Sequence, residues 1–290
     1  MASIRSKAEI LLIVVTFFWG VTFVLVKQAL ADASPLAFIA ARFVLAGAIL
    51  LLVYGLRPRD RRALGPALIL GAVLFAGFVF QTWGQEFTTP SKCAFITAFS
   101  VILVPAFMAF LGVPLKRASV FGAGFGIAGI YLLVAPSGLS SINRGDVLTL
   151  IGAAGFAVYI ILVERYSLVY SFRDLAPVQI LFVGLLACGG ISTHHAWRFH
   201  WTGFLGLAIA ITAVFSTAFA FAAQNWAQRY VPAAHTALIF ALEPVFAAMT
   251  SYVVINERLG RTATLGAAFI LLGMVVSEVW GGKGDLAGGT

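Results

Sequence analysis

The stretch Gln81–Phe87 reads QTWGQEF and the stretch Gln224–Tyr230 reads QNWAQRY, so the pattern Gln-x-Trp-x-Gln-x-aromatic occurs twice. Each copy ends a long apolar run. Other landmarks recur in the same order and at similar separations, which indicates an internal duplication with halves at 1–140 and 141–290. The further paired landmarks are Trp19 with Phe156, Arg42 with Gln179, Pro105 with Pro244, and Gly122–Gly129 with Gly266–Gly273.

The composition is that of a protein surrounded by lipid. Of 290 residues, 61% are hydrophobic and 10% are charged, and the mean hydropathy is +1.00. About 20 helical residues, each rising ~1.5 Å, cross a hydrocarbon core about 30 Å thick. The apolar runs do not alternate as barrel strands do, so helices must satisfy the backbone. The sequence predicts ten membrane helices, at 8–30, 35–56, 64–87, 90–111, 117–135, 146–167, 174–193, 202–228, 232–255 and 261–280.

The number of helices in each half has a topological consequence. Five is odd, so the second half enters the membrane from the opposite side. The predicted fold is an all-α integral membrane protein whose ten transmembrane helices form two inverted five-helix repeats. Secondary transporters share this plan, with substrate bound near the midplane and access alternating between the two faces. The plan indicates transport rather than an enzyme, and no nucleophile and base constellation stands out.

The basic residues are unevenly distributed. The net charge of +8 would suit nucleic acid, but most Lys and Arg fall on the membrane side that holds the N-terminus, with the cluster Arg57–Arg62 as the largest contribution. An excess on one side follows the positive-inside rule. We therefore expect a bacterial-type inner membrane, both termini in the cytoplasm, contact of this cluster with anionic lipid, and no nucleic-acid partner.

Several predicted helices carry a face of small or polar side chains, since residues three and four positions apart share a face. The repeated glutamines lie on such a face, whereas Trp83 and Trp226 lie on the opposite one and are expected to pack or to anchor at the membrane interface. Interhelical hydrogen bonding is the alternative role for the glutamines, and ordinary packing for the aromatic residues. The predicted substrate pathway comprises Thr16, Trp19, Phe23, Gln81, Gln85, Thr97, Ser100, Phe156, Tyr159, Gln224, Gln228 and Glu243.

Few ionisable residues lie deep in the predicted helices. Glu243 lies near the centre of the ninth, where an acidic side chain costs at least ~2.5 kcal/mol unless it is protonated, paired or hydrated. Two roles compete for it: contact with a substrate ammonium group or a proton, and a structural hydrogen bond at the kink that Pro244 introduces. Lys27, Arg42 and Glu86 lie nearer the outer helix ends, where an ion-pair cluster or snorkelling is expected.

Several motifs predict no further chemistry. Gly124–Gly129 matches G-x-G-x-x-G, but no strand precedes it, and close helix packing explains it better than dinucleotide binding. The sequence contains no Walker loop, which argues against ATP as the direct energy source. His194, His195 and His200 are expected in an interfacial loop, with metal binding as the alternative. We predict no cofactor and no metal site.

Three stretches carry a resemblance to a known family. They are FFWGVTF at Phe17–Phe23, AARFVLAGAILLL at Ala40–Leu52, and LEPVFAAMTSYVVINERLGRTATLGAAFILLGMVV at Leu242–Val276. The sequence resembles the EamA-type branch of the drug/metabolite transporter superfamily, most of all its YddG-like exporters of aromatic amino acids. The resemblance implies a ten-helix carrier that exports its substrate.

The expected function is a carrier of small amphipathic metabolites, with amino acids, above all aromatic ones, as the leading substrates. A carrier of nucleobases or drug-like compounds is the alternative with the same fold. An intramembrane enzyme or a lipid scramblase is a different class, which would show clustered catalytic residues or a polar groove open to lipid. The sequence leaves open a homodimer and the coupling of transport to protons.

Overall fold

The computed structural model describes residues 2–55, 59–114, 117–135, 138–191 and 198–282. Of the residues discussed above, Arg57, His194 and His195 lie outside these ranges. The helices are α1 Ala2–Ala29, α2 Pro35–Tyr54, α3 Leu64–Phe87, α4 Pro90–Phe110, α5 Arg117–Val134, α6 Arg144–Ser167, α7 Phe172–Ile191, α8 Gly203–Ala227, α9 Ala233–Ile255 and α10 Arg261–Gly282.

The predicted all-α fold is confirmed. The described ranges contain no strand, and Ala33 and Phe199 form an isolated bridge. Nine helical spans there are long and apolar enough to cross a membrane, and the apolar part of α10, Arg261–Ser277, is shorter. The described chain therefore has nine to ten membrane-spanning helices.

Helix starts follow local capping chemistry. α2 and α4 begin at Pro35 and Pro90, because a missing N–H is tolerated in the first turn of a helix. Before α6, the side chain of Asn143 accepts from the N–H of Asp146 at 3.0 Å, and the carboxylate of Asp146 accepts from the N–H of Asn143 at 3.1 Å. This reciprocal capping box sets the start of α6.

The first helix begins at Ala2, earlier than the predicted start at 8. The added residues include Arg5 and Lys7, and Arg5 forms an ion pair with Glu9 at 2.9 Å. Hydropathy detects only the part of a helix that lies in hydrocarbon. A polar extension into water therefore goes undetected by that measure.

The two halves pack through equivalent helices. α2 packs on its counterpart α7, and α5 packs on its counterpart α10. α3 packs on α6, and the corresponding helices of the other half, α8 and α1, also pack on each other. Where α5 crosses α10, a Cβ at Gly122 would lie 2.5 Å from the carbonyl oxygen of Gly273, and a Cβ at Gly129 would lie 2.6 Å from that of Gly266. The paired glycine stretches therefore meet each other and permit close helix packing.

The outer surface of the bundle is apolar. Phe110 is 87% exposed, Leu52 84% and Val253 79%. Side chains of Gln, Thr and Ser are buried between the helices instead. An apolar exterior of this extent fits a lipid environment rather than water.

Three of the described membrane helices depart from regular α-helix. Irregular backbone at membrane depth is tolerated where it lines a cavity or is buried in protein. The irregular segments of these helices therefore mark a candidate site. They are a break in α4 between Pro90–Ala98 and Ser100–Phe110, a break in α9 between Ala233–Phe240 and Glu243–Ile255, and a π-helical turn in α8 at Val214–Phe219.

Candidate substrate cavity

A central cavity is lined by residues from both halves of the chain. It contains ≈ 730 Å³ of space between atoms, a figure that includes its open mouth. Ten of the twelve predicted pathway residues line it: Trp19, Phe23, Gln81, Gln85, Thr97, Ser100, Phe156, Tyr159, Gln224 and Glu243.

The other two predicted residues, Thr16 and Gln228, do not line this cavity. The hydroxyl of Thr16 donates to the carbonyl oxygen of Leu12 at 2.7 Å, within α1. The side-chain nitrogen of Gln228 donates to the carbonyl oxygen of Ile160 at 3.0 Å and joins α8 to α6. Helical spacing placed both residues on the helix faces that line the cavity further along. It does not determine how far along each face the cavity extends.

Aromatic rings form much of the cavity wall. The centroid of Phe78 lies 5.2 Å from that of Phe156 and 6.0 Å from that of Phe221. Phe78 and Phe221, which the sequence analysis missed, lie three residues before Gln81 and Gln224. The same helical spacing, continued by one turn, would have found them. The rings that line the cavity are Trp19, Phe23, Phe78, Phe156, Tyr159, Phe221 and Phe240.

The cavity glutamines form structural hydrogen bonds, and one of their acceptors has no partner among the described residues. The amide nitrogen of Gln81 donates to the hydroxyl of Thr97 at 3.0 Å, and that of Gln85 donates to the carbonyl oxygen of Phe23 at 2.7 Å. The amide oxygen of Gln224 is buried and has no hydrogen bond among the described residues. Interhelical hydrogen bonding is thus present, and one buried glutamine acceptor is left unused by the described residues.

Glu243 lies in the cavity wall at the point where α9 resumes after its break. Its side chain is 9% exposed, and across the described ranges its carboxyl group makes no hydrogen bond and no ion pair. The structural hydrogen bond that was one of its two predicted roles is not formed there. A Cβ at Gly20 would lie 2.7 Å from the carbonyl oxygen of Glu243, so glycine is what allows α1 to approach the break.

The two broken helices carry proline at equivalent places. Pro105 and Pro244 have no N–H, so the carbonyl groups four residues earlier, those of Val101 and Phe240, lose their helical donor. Val101 and Phe240 both line the cavity. Discontinuous helices that present carbonyl groups near the midplane are typical of transporter sites.

Arg42 is the main cavity residue that the sequence analysis placed elsewhere. Its side chain is 5% exposed and lines the cavity. The expected ion-pair cluster with Lys27 and Glu86 is not formed. The ammonium group of Lys27 instead donates to the carbonyl oxygen of Gln85 at 2.8 Å, and Glu86 pairs with Arg198 at 3.6 Å.

The π-helical turn of α8 holds the guanidinium of Arg42. Its Nε donates to the hydroxyl oxygen of Thr217 at 2.7 Å, and its Nη2 donates to the carbonyl oxygen of Ser216 at 3.2 Å. The same carbonyl oxygen accepts from the indole N–H of Trp19 at 2.9 Å. The hydroxyl of Thr217 donates to the carbonyl oxygen of Thr212, five residues earlier, at 2.8 Å. The turn therefore positions one cation and one tryptophan of the cavity wall.

The tryptophans of the repeated motif lie away from the cavity. Neither Trp83 nor Trp226 lines it, and the ring of Trp226 lies 5.2 Å from that of Tyr230. In the part of the chain that the structure describes, no group of three His, Cys, Asp or Glu residues could hold a metal ion. The described cavity wall itself combines aromatic surface with a few polar groups, as small-molecule sites do.

The apolar exterior, the paired halves and the broken helices around a shared cavity define a class of protein: a multi-pass membrane transporter. The chain belongs to the EamA-like transporter family, which matches it twice, over residues 6–135 and 143–278. Each match contains five of the helices. The odd number makes the second repeat inverted relative to the first.

Known relatives agree with this class. The chain is 33% identical over 274 residues to an uncharacterized transporter of Archaeoglobus fulgidus, covering 94% of this chain and 86% of that protein. It is 25% identical over 298 residues to the uncharacterized transporter YcxC of Bacillus subtilis, covering 95% and 94%. The uncharacterized inner membrane transporter YedA of Escherichia coli is 29% identical over 178 residues, covering 59% of this chain and 56% of YedA.

A solved crystal structure shows the same fold. It superimposes with a TM-score of 0.73 at 18% identity and covers 98% of this chain and 100% of that one. Family and relatives together show that the protein is a transporter and not an enzyme. The names of these relatives state no substrate.

Proposed function

We propose that this transporter exports small amphipathic metabolites, above all amino acids including aromatic ones, by alternating access. The observation that carries the proposal is the carboxyl group of Glu243, which faces an aromatic cavity without a described protein partner. An uncompensated carboxylate at membrane depth is costly. The ammonium group of an amino acid would compensate its charge, while the attached side chain meets the rings.

The cavity wall supports the preference for aromatic side chains. Trp19, Phe78 and Phe221 present ring faces and ring edges to one space. Favourable ring pairs add about 0.5–1.5 kcal/mol beyond the burial of apolar area. A phenyl or indole side chain would therefore bind better than an aliphatic side chain of similar size. Gln81 and Gln224 supply the few polar groups that orient such a ligand.

The relation between the two repeats supports alternating access. They pack through equivalent helices on either side of the cavity, and rocking of one repeat against the other would expose it to either membrane face. Arg59, Arg61 and Arg62 are exposed between α2 and α3, on the face where α1 begins. By the positive-inside rule we propose that this face is cytoplasmic, in an inner membrane of bacterial type, with both termini on that side.

Counterflow in proteoliposomes tests the proposal. Vesicles with purified protein are loaded with unlabelled L-phenylalanine, and labelled L-phenylalanine is added outside. We expect labelled uptake above that of protein-free vesicles, reduced by external L-tryptophan more than by glycine. Glu243→Ala should lower uptake while the protein stays monodisperse. Counterflow with nucleobases or drug-like cations, but with no amino acid, would replace this proposal by the alternative substrate class.

A further inference from the structure

Arg42 is a buried cation for which the described protein supplies no anion. Its side chain is 5% exposed, and it forms no ion pair with any carboxylate of the described residues. Buried charges are normally paired, because desolvation of an isolated charge is costly. In membrane proteins, ionisable residues that face an interior cavity usually belong to the substrate pathway. The missing anion is therefore expected from a ligand.

The donors of Arg42 are only partly used. A guanidinium has five N–H donors in a planar fork. One on Nε and one on Nη2 bind Thr217 and Ser216, whereas both donors of Nη1 and the second donor of Nη2 have no partner among the described residues. Adjacent N–H groups on Nη1 and Nη2 match the two oxygens of a carboxylate.

The guanidinium is also held in place before any ligand arrives. It lies 5.3 Å from the ring centroid of Phe43 and 5.0 Å from that of Phe78. The hydroxyl proton of Thr217 is taken by Thr212, so the oxygen of Thr217 is turned to accept from Arg42. A donor group fixed in advance loses little entropy when it binds.

The duplication does not repeat this cation. The residue of α7 that corresponds to Arg42 is Gln179, whose amide oxygen accepts from the hydroxyl of Tyr159 at 3.1 Å. Gln179 does not line the cavity. The cavity thus combines one cation on α2 with one acid, Glu243, on α9, which is the charge pattern complementary to a zwitterion.

We propose that Arg42 binds the carboxylate of the transported molecule through its free N–H groups, with Ser216 and Thr217 as positioning residues. The cavity then selects solutes that carry a carboxylate over amides or amines of the same shape. The inference rests on the proposed transport function and names the group by which the substrate is recognised.

Binding to the purified full-length protein tests the inference with two matched pairs of ligands. The first pair is L-phenylalanine and L-phenylalaninamide, and the second is indole-3-acetate and indole-3-acetamide. Loss of a charge-assisted hydrogen-bond pair is worth about 10- to 100-fold in affinity. We expect the wild type to bind L-phenylalanine more tightly than its amide by that factor, and Arg42→Gln to lose the preference through weaker binding of the acid.

Two further variants separate the role of the fork from that of charge and folding. Arg42→Lys keeps the charge without the planar fork and should retain only part of the preference. Thr217→Val leaves Arg42 present but removes its Nε acceptor, so a smaller loss is expected. Arg144→Gln is the matched control, because Arg144 also lies over a ring, that of Phe87 at 3.6 Å, but does not line the cavity.

The outcomes distinguish this inference from the proposed function. Equal wild-type affinity for L-phenylalanine and its amide, or an unchanged preference in Arg42→Gln, would overturn the carboxylate site and leave amino-acid transport standing. Binding of indole-3-acetate over its amide, lost in Arg42→Gln, with no binding of L-phenylalanine, would uphold the site and overturn the amino-acid proposal. No binding of either pair to monodisperse protein would overturn both. If Arg42→Gln does not fold, the inference is still tested by the preference of the wild type for acid over amide and by its reduction in Thr217→Val.

Discussion

The ammonium nitrogen of Lys92 lies 2.7 Å from Oδ2 of Asp146 and joins the start of α4 to the start of α6. Only 16% of the Lys92 side chain and 2% of the Asp146 side chain are exposed, so salt screens this pair less than a surface pair. α4 belongs to the first repeat and α6 to the second. The contact therefore ties the two repeats together at the membrane face where α1 ends.

A corresponding contact lies at the other face. Nε2 of His235, at the start of α9, lies 3.2 Å from Oε1 of Glu9 in α1. The spacing between Lys92 and His235 is that between Gln81 and Gln224, and Asp146 follows Glu9 at the spacing of Phe156 from Trp19. The two contacts are thus equivalents within the duplication, one at each membrane face. In the proposed alternating-access cycle, each would hold the repeats together at its own face.

We expect Lys92→Ala to increase access to the cavity from the face where α1 ends. Loss of such a pair is worth roughly 1 kcal/mol, or a factor of about five in a two-state equilibrium. The measurement is the rate at which an impermeant maleimide labels Thr82→Cys in a Cys93→Ser, Cys188→Ser background. Lys92→Arg keeps the charge, so Thr82→Cys should be labelled as slowly in this variant as when Lys92 is present. An unchanged rate in Lys92→Ala would show that this pair does not close the cavity.

His235→Ala should have the opposite effect on the same reporter. The maleimide should label Thr82→Cys faster from the face where α1 begins and more slowly from the other face. Right-side-out and inside-out vesicles give the two rates. Arg5→Ala is the matched control, because Arg5 also contacts Glu9, at 2.9 Å, but within one helix. Equal effects of Arg5→Ala and His235→Ala would point to Glu9 itself rather than to a link between repeats.

Glu243→Gln tests whether the unpaired carboxyl group carries a coupled proton. If it does, uptake driven by a pH gradient should disappear in Glu243→Gln while exchange of labelled for unlabelled substrate continues, because exchange needs no net release of a proton. Uptake and exchange are measured on the same proteoliposomes. Equal, gradient-independent transport in wild type and variant would favour facilitated diffusion.

The repeated motif predicts different roles for its glutamines and tryptophans. Gln81→Ala and Gln224→Ala should weaken substrate binding, since the loss of a buried hydrogen-bond partner costs ~1–3 kcal/mol, or about 5- to 150-fold in affinity. Trp83 and Trp226 lie outside the cavity wall, so Trp83→Phe and Trp226→Phe should chiefly lower thermal stability. The measurements are substrate affinity and melting temperature of the four purified variants. A loss of binding confined to the tryptophan variants would contradict this assignment.

Topology can be tested at two exposed loop positions, Arg59 and Ser140. The excess of basic residues predicts that Arg59 is cytoplasmic, and five helices per half place Ser140 outside. In a background without native cysteines, an impermeant maleimide added to intact cells should label Ser140→Cys and not Arg59→Cys. The reverse pattern would invert the proposed orientation.

The helices could be predicted from the sequence because their signal is local. A run of about 20 apolar residues must be helical in lipid, since the backbone has no other partner there. The predicted range 64–87 thus coincides with α3, Leu64–Phe87. The duplication was also visible, because paired landmarks keep their spacing along the chain. Spacing of three and four residues brought most of the predicted pathway residues to one cavity.

The charges of the cavity depended on tertiary structure. Nothing in α2 distinguishes an arginine that snorkels to the membrane surface from one that turns inward, because the choice is made by Thr217 and Ser216, far along the chain. Those acceptors lie in the π-helical turn of α8, which apolar composition does not signal. The same limit applies to Thr16 and Gln228, whose helix face was predictable from the sequence while the extent of the cavity was not. Local sequence determines which segments cross the membrane, whereas contacts between distant helices determine which polar groups are left free for a substrate.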